Sequence, residues 1–353
     1  MRILMLAWRD IMNPKKGGAE IVTDIYLKDL ANMGHDVFLF SSRFRKCIKT
    51  EKHNGYTIIR DGGELSVYLK GLMYAFKNKH KYDKIIDQVN TIPFFTPLLI
   101  PNNKRIAFFH QLCLNVWFYE MPWFLAWIGY IMEHIYLKLY LNTKAFVVSD
   151  STKKDLIKHA WMKSDNILIL DNQINFKVLN KIPKKEKNAF CFCGRLVKSK
   201  RCQDTIKAIS LVPNSKLYII GDGSYRNKLE KLVNKLNVHD RVTFLGRLTF
   251  SERNKIMGKC KAIIVTSVRE GWGLIVTEAN ANGTIAITYD IPGLRDANKT
   301  GIICKKNNPD NLSQKIRKVL KEDANYLTLK ALNFAKEHAN WEKQVVRLEK
   351  WMD

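Results

Sequence analysis

Two acidic residues, Glu270 and Glu278, stand eight positions apart in the glycine-containing stretch SVREGWGLIVTEANANG at 267–283. Gly271 and Gly273 permit a tight backbone, and apolar spacing resumes at Leu274. A strand-to-helix bend is therefore expected, with Glu270 in the loop and Glu278 one turn into the helix. A carboxylate near a helix start stabilises it by about 0.3–1 kcal/mol, so either Glu reads equally well as a cap or first-turn residue. Two acids on such a bend can also face a ligand together, and they then suit the hydroxyls of a sugar or ribose. A cationic pair, Arg195 and Lys200, brackets a loop after the apolar run at 189–193. The rigid donor fork of Arg and the mobile ammonium of Lys suit a diphosphate whose charge grows as its ester bond breaks, and they suit a solvated surface as well.

Other glycines carry less. Gly17 and Gly18 precede a helix that follows the first strand, where backbone N–H groups approach an anion or the chain simply turns. Gly221-Asp222-Gly223 lacks the third glycine of a dinucleotide fingerprint, and no G-x-x-x-x-G-K-[ST] occurs.

The elements that must position these residues are legible as alternating patterns. Residues 2–8 read as a strand, 19–33 as an amphipathic helix ended by Gly34, and 36–40 as the next strand, which is a right-handed parallel unit. Further strands are expected at 57–60, 84–87, 105–109, 145–149 and 166–170, with a helix capped by Asp150 or Ser151 after the fourth. Residues 176–188 carry five Lys against one Glu, contain Pro183 and lack an apolar period, which marks a linker. The pattern then restarts with strands at 189–196, 216–223, 241–246, 261–267 and 284–288. The fold class is α/β: two doubly wound, Rossmann-like domains, with the ligand expected beyond the carboxyl ends of the strands in the cleft between them.

Composition narrows the class. The chain has 353 residues, 59 Lys plus Arg against 33 Asp plus Glu and a formal charge of +26. With 46% hydrophobic residues it is a cored globular chain, not a disordered basic tail. The charge is scattered along the whole length, and no zinc-ligand cluster or nucleic-acid-reading motif accompanies it, so nucleic acid is not an expected partner. Seven cysteines, an odd and sparse set, read as thiols of a reducing compartment, with Cys191 and Cys193 expected on opposite faces of a strand. Met1-Arg2 leads into an apolar run without a small-residue cleavage site, so a first strand is expected there and not a leader. The uncharged, aromatic stretch 121–132 is too short to span a bilayer.

In combination these residues resemble family 4 of the retaining glycosyltransferases, nucleotide-sugar-dependent enzymes of the GT-B fold. The resemblance rests on GGAE (17–20), His110 after an apolar strand, SDST (149–152), GRL with Lys200 (194–200), GDG (221–223), the Glu270/Glu278 pair and the loop 292–294. It implies two Rossmann-like domains facing across a cleft. The N-terminal domain at 1–175 would lie on the acceptor side and the linker at 176–188. The nucleotide-sugar domain would follow at 189–335, with a C-terminal helix, 336–353, packing back on the first domain. It further implies that Arg195 and Lys200 hold the diphosphate, Glu278 accepts from the ribose hydroxyls and Glu270 contacts the donor sugar. Gly271, Gly273 and Leu274 would also bind the donor. Gly17 and Gly18 would approach the diphosphate or acceptor from the opposite wall, and His110 would sit beside the transferred sugar. Glu270, His110, Arg195 and Lys200 form the catalytic set in this reading. The reaction implied is retaining and independent of metal and of any cofactor, and no D-x-D triad occurs.

There are departures. Arg201 follows Lys200 where glycine is usual, and Asn172-Gln173-Ile174-Asn175 replaces a more common N-G-I/V-D. The acceptor is expected to be a glycan or lipid-linked. For the aromatic run at 121–140 a buried helix is the default, and peripheral contact with an anionic membrane, on the inner face of a cytoplasmic enzyme, is the alternative. A nucleotide-sugar epimerase or a phosphorylase of similar fold remains the rival enzymatic reading, and a nucleic-acid-binding module the rival from another class.

Overall fold

The computed structural model describes residues 1–172 and 177–352. The first half runs β1 (Arg2–Leu6), α1 (Gly18–Asn32), β2 (Asp36–Ser41), β3 (Thr50–His53), β4 (Tyr56–Arg60) and α2 (Ser66–Asn78). It continues with β5 (Lys84–Val89), β6 (Arg105–Phe109), α3 (Trp117–Glu120), α4 (Trp123–Lys138), β7 (Lys144–Val147), α5 (Asp150–Ala160) and β8 (Ile167–Ile169). The second half runs β9 (Ala189–Cys193), α6 (Cys202–Ser210), β10 (Lys216–Ile220), α7 (Arg226–Lys235), β11 (Val242–Gly246), α8 (Phe250–Lys259) and β12 (Ala262–Val265). It ends with α9 (Leu274–Ala281), β13 (Ile285–Tyr289), α10 (Pro292–Ala297), β14 (Ile302–Cys304), α11 (Pro309–Lys321), α12 (Ala324–Glu337) and α13 (Trp341–Met352).

The chain packs as two compact units. The first comprises Met1–Leu114, Trp127–Asn172 and the described part of Trp341–Asp353; the second comprises Asn115–Ala126 and the described part of Gln173–Asn340. The expected domain boundary at 175/176 and the altered turn at 173–175 lie outside the described residues.

The first unit holds an eight-stranded sheet in the order β3-β4-β2-β1-β5-β6-β7-β8, parallel except for the β3–β4 hairpin at its edge. That hairpin turns at Asn54-Gly55, both left-handed, as a two-residue loop requires. Parallel partners in register share a face, so Leu4, Phe38, Ile85 and, two residues on, Asp87 and Val89 lie on one side. On this side Val67 and Ala75 of α2 pack on Leu4, Leu6 and Phe40, while Leu137 of α4 and Leu156 of α5 pack on Ala107, Phe109 and Val147. Tyr26 of α1 covers the other side, where its ring meets Phe108, Phe146 and Trp341 of α13. The C-terminal helix is thus part of the first unit.

The second unit holds a six-stranded parallel sheet in the order β11-β10-β9-β12-β13-β14. Residues before β9 are pinned to it by the Lys185 ammonium, which faces the carbonyls of Gly258 (2.9 Å), Cys260 (2.9 Å) and Gly283 (2.6 Å) and Thr284 Oγ1 (2.9 Å). Burial holds the pKa of this lysine down to about 8.

Three expectations need correction. The buried helix expected at 121–140 is buried on one side only: Trp123, Trp127, Ile128 and Ile131 of α4 each expose more than half their surface. The cap of α5 is Ser149, whose hydroxyl accepts from Thr152 N–H at 3.1 Å, because Asp150 is already the first helical residue. Cys191 and Cys193 share a face of β9, packing on Met257, Cys260 and Val276, as residues two apart in a strand must. All seven cysteines are free.

Replacing Lys185 with Met should strand several buried carbonyls. We expect a loss of about 3 kcal/mol in unfolding stability, read from urea transitions, and a variant as stable as the wild type would refute the pinning role.

Candidate functional site

In the second unit the strand order reverses at β9, which lies between β10 and β12. Loops leaving the carboxyl ends of β9 and β12 are therefore neighbours, at the position where open α/β sheets bind ligands. The first of these loops carries Arg195 and Lys200, and the second carries Glu270. The structure joins them: the Lys200 ammonium and the Glu270 carboxylate form an ion pair, and Ser267 Oγ donates to the same Glu270 oxygen at 2.7 Å. Backbone contacts lock the loops side by side. Val268 N–H donates to Ser199 C=O at 2.9 Å, and Thr266 Oγ1 reaches the carbonyls of Lys200 and Arg201, each at 3.0 Å.

Glycines set the spacing. A Cβ on Gly221, which has φ +131°, would lie 1.9 Å from Gly194 O, so the GDG turn serves as a close backbone support for the Arg195 loop. A Cβ on Gly293 would lie 2.1 Å from Glu270 O, so the start of α10 presses directly on the Glu270 backbone. Arg195 itself is exposed and makes no ion pair among the described residues. Arg201, by contrast, is committed to the protein. Its guanidinium pairs with Asp204 at 2.5 Å, donates to Asn307 C=O at 3.1 Å and stacks over Tyr289.

Gly271, Gly273 and Leu274 lead into α9, with Gly273 as its N-cap at φ +95°. Glu278, one turn inside, is almost wholly buried. Its Oε2 lies 2.7 Å from Nη2 of Arg253 on α8, close enough for an ion pair but not aligned as a directed hydrogen bond. Burial pushes the Glu278 carboxyl up and Arg253 offsets part of that rise. Sequence reasoning passed over Arg253: it lies 25 positions before Glu278 on a different helix, and no spacing signals the pairing. Ser267 was equally silent.

In the first unit Gly17 caps α1, and its N–H is already taken by the buried Glu20 carboxylate at 2.6 Å. Gly18 opens the helix. Gly17 has an ordinary extended backbone, so the glycine is not demanded by conformation there. His110 follows β6 and is buried, with its Nε2 2.9 Å from the Gln88 amide nitrogen. A donating amide makes that ring nitrogen the acceptor and leaves the proton on Nδ1. Burial lowers the His110 pKa to about 3, so the ring is neutral. Among the described residues no group of three or more His, Cys, Asp or Glu side chains could hold a metal ion, and no helix is long and apolar enough to cross a membrane.

With this geometry in hand, the likeness to known proteins is informative. Residues 174–341 match the family described as "Glycosyl transferases group 1". The O-antigen chain mannosyltransferase RfbU of Salmonella typhimurium is 31% identical over 46% of this chain and 46% of its own length. The chain spans about half the length of the first curated relatives it matches. Sucrose-phosphate synthase from Thermosynechococcus elongatus superposes with a TM-score of 0.82 at 19% identity, covering 99% of this chain and 98% of that one. The Anabaena protein HepE, solved in complex with UDP-glucose, does so at 0.74 and 15%, covering 100% and 99%. The chain therefore shares the two-domain fold of these proteins. The sequence likeness to group 1 glycosyl transferases falls almost wholly on the second unit.

Two outcomes follow. Gly293→Ala should shift the Glu270 backbone and cut any donor turnover by about tenfold or more while the fold persists by circular dichroism. The unfolded chain protonates His110 near pH 6.5 whereas the native state does not until about pH 3. Stability should therefore fall as pH drops below 6.5, by about 2 kcal/mol at pH 5 from this group alone, and His110→Gln should remove that share of the slope in urea titrations.

Proposed function

We propose that this protein is a retaining glycosyltransferase of family 4 that moves a sugar from a nucleoside diphosphate sugar to a hydroxyl of a glycan or lipid-linked acceptor. The observation that carries the reading is the convergence of Lys200, Glu270 and Ser267 at the strand-order reversal of the second unit, within the segment matched to group 1 glycosyl transferases. The HepE complex with UDP-glucose supports a nucleotide-sugar donor.

In this reading the second unit binds the donor. Arg195 and Lys200 neutralise the diphosphate as the C1–O bond breaks, side-chain cations serving in place of a metal. Lys200 pairs with Glu270, so the incoming diphosphate exchanges one anion for another at the ammonium and frees Glu270 for the sugar hydroxyls. Glu278, held against Arg253, accepts from the ribose hydroxyls. Gly271, Gly273 and Leu274 present backbone N–H groups at the start of α9. The first unit, through Gly17, Gly18 and the neutral His110, contributes to the acceptor and transferred sugar, His110 orienting a hydroxyl. The acceptor oxygen bonds to C1 on the face the diphosphate leaves, and its proton passes to the departing phosphate oxygen. An inner-face, cytoplasmic enzyme touching an anionic membrane is the setting we infer for such an acceptor.

A panel of nucleoside diphosphate sugars, screened by thermal shift and slow hydrolysis, identifies the donor. Glu278→Ala should then weaken donor binding by about 10–100-fold, and Arg195→Ala should lower turnover by about 100-fold with little change in binding. The sugar released should first appear in the donor's anomeric form by NMR. Unchanged kinetics in both variants, or no hydrolysis of any donor, would refute the assignment.

A further inference from the structure

The most unusual surface of the molecule lies on the first unit, on the sheet face covered by α2, α4 and α5. On α4, Trp127, Ile131 and Ile135 follow at four-residue intervals with Ile128 beside them, and each exposes more than half its surface. Leu65 at the cap of α2, 80% exposed, and Leu69, Met73 and Phe76 on the helix form a second outward line. Just beyond α5, Trp161 is 61% exposed. Strand register puts all three helices on one face of one sheet, so they form a single layer and their outward lines look the same way. A soluble monomer rarely turns this many large apolar side chains outward on one layer.

Charge decides what covers it. The α4 line contains no exposed acid: its Glu133 points inward and accepts from the N–H groups of Cys113 (2.6 Å) and Leu114 (2.7 Å). Cations border the layer. Lys79 lies 4.4 Å from the Phe76 ring, Lys138 lies 4.3 Å from the Trp161 ring, and Lys70 and Lys77 flank the α2 line, with Asp61 as the partner of Lys70. Aromatic and aliphatic side chains with ammonium groups at their edges are the pattern of a surface buried at headgroup depth. A second copy fits badly, because two identical faces would bring these lysines together on chains of formal charge +26 each.

We propose that the outward layer of α2, α4 and α5 docks flat on an anionic lipid bilayer, α4 sinking its apolar line among the acyl chains and the bordering lysines meeting lipid phosphates. This names the surface behind the inner-face setting above. It rests on the glycosyltransferase reading only for the suggestion that the acceptor is presented there.

The test is flotation of the full chain with vesicles of phosphatidylcholine alone or mixed with phosphatidylglycerol, at low and high salt. Binding should require phosphatidylglycerol and weaken with salt. Lys70→Glu with Lys77→Glu should lower partition by about fivefold or more per lysine, and Ile131→Glu by at least about tenfold. Ile131→Ser guards against misfolding and should give a smaller loss with unchanged thermal unfolding. The inference is overturned if the wild type stays in solution with phosphatidylglycerol vesicles at low salt, if Ile131→Glu binds as well as wild type, or if light scattering shows a dimer that Ile131→Glu dissolves. Hydrolysis of a soluble donor separates the two proposals: if it persists without vesicle binding, only the docking surface fails, and if vesicles bind but no donor is used, only the enzymatic reading fails.

Discussion

A parallel sheet leaves no face for water, and the structure is organised by that constraint. Most parallel strands of the two sheets are joined by crossovers that lay a helix on one face, and those of the second unit deliver the Arg195 and Glu270 loops to the carboxyl ends of the strands. In the first unit the demand is met on one side by α1 and by α13, which arrives from the far end of the chain to place Trp341 against Tyr26. On the other side it is met by α2, α4 and α5. The helices that satisfy the sheet inwardly are the ones whose outer lines remain apolar, so the cover of the sheet and the outward apolar layer are made by the same elements.

The second unit shows how backbone proximity, more than side-chain choice, builds a charged site. Two loops from adjacent strands are held together by main-chain hydrogen bonds, and two further turns press on them at Gly221 and Gly293, where a methyl group would collide with a carbonyl. Inside that frame Lys200 and Glu270 neutralise each other, and Glu278 is balanced by Arg253. An adjacent cation offsets part of the cost of burying a carboxylate, as Arg253 does for Glu278.

Much of this was legible in the sequence. Hydrophobic period placed β1, α1, β2 and the later strands except β3 and the three-residue β14, and glycine spacing around Glu270 marked the bend. What went unread had physical causes. β3 is a charged edge strand, TEKH, without alternation, although Asn54-Gly55 announced its hairpin. The cap of α5 was displaced by one residue because Ser149, Asp150 and Ser151 all have capping chemistry and only backbone angles choose among them. For α4, apolar content implied burial, but content does not say how many of a helix's sides find a neighbour.

The sequence by itself determined the alternating α/β pattern, the two-unit plan and the identity of the charged groups near the bend, because these depend on local period, turn chemistry and residue type. Tertiary structure alone decided which charges meet. Arg253 reaches Glu278 across separate helices, Arg201 turns inward to Asp204, and Gly17 spends its N–H on Glu20, none of which residue spacing encodes. It also decided that three helices separated in the chain share one sheet face, since strand order and register, and not sequence position, set which side of a sheet each crossover covers.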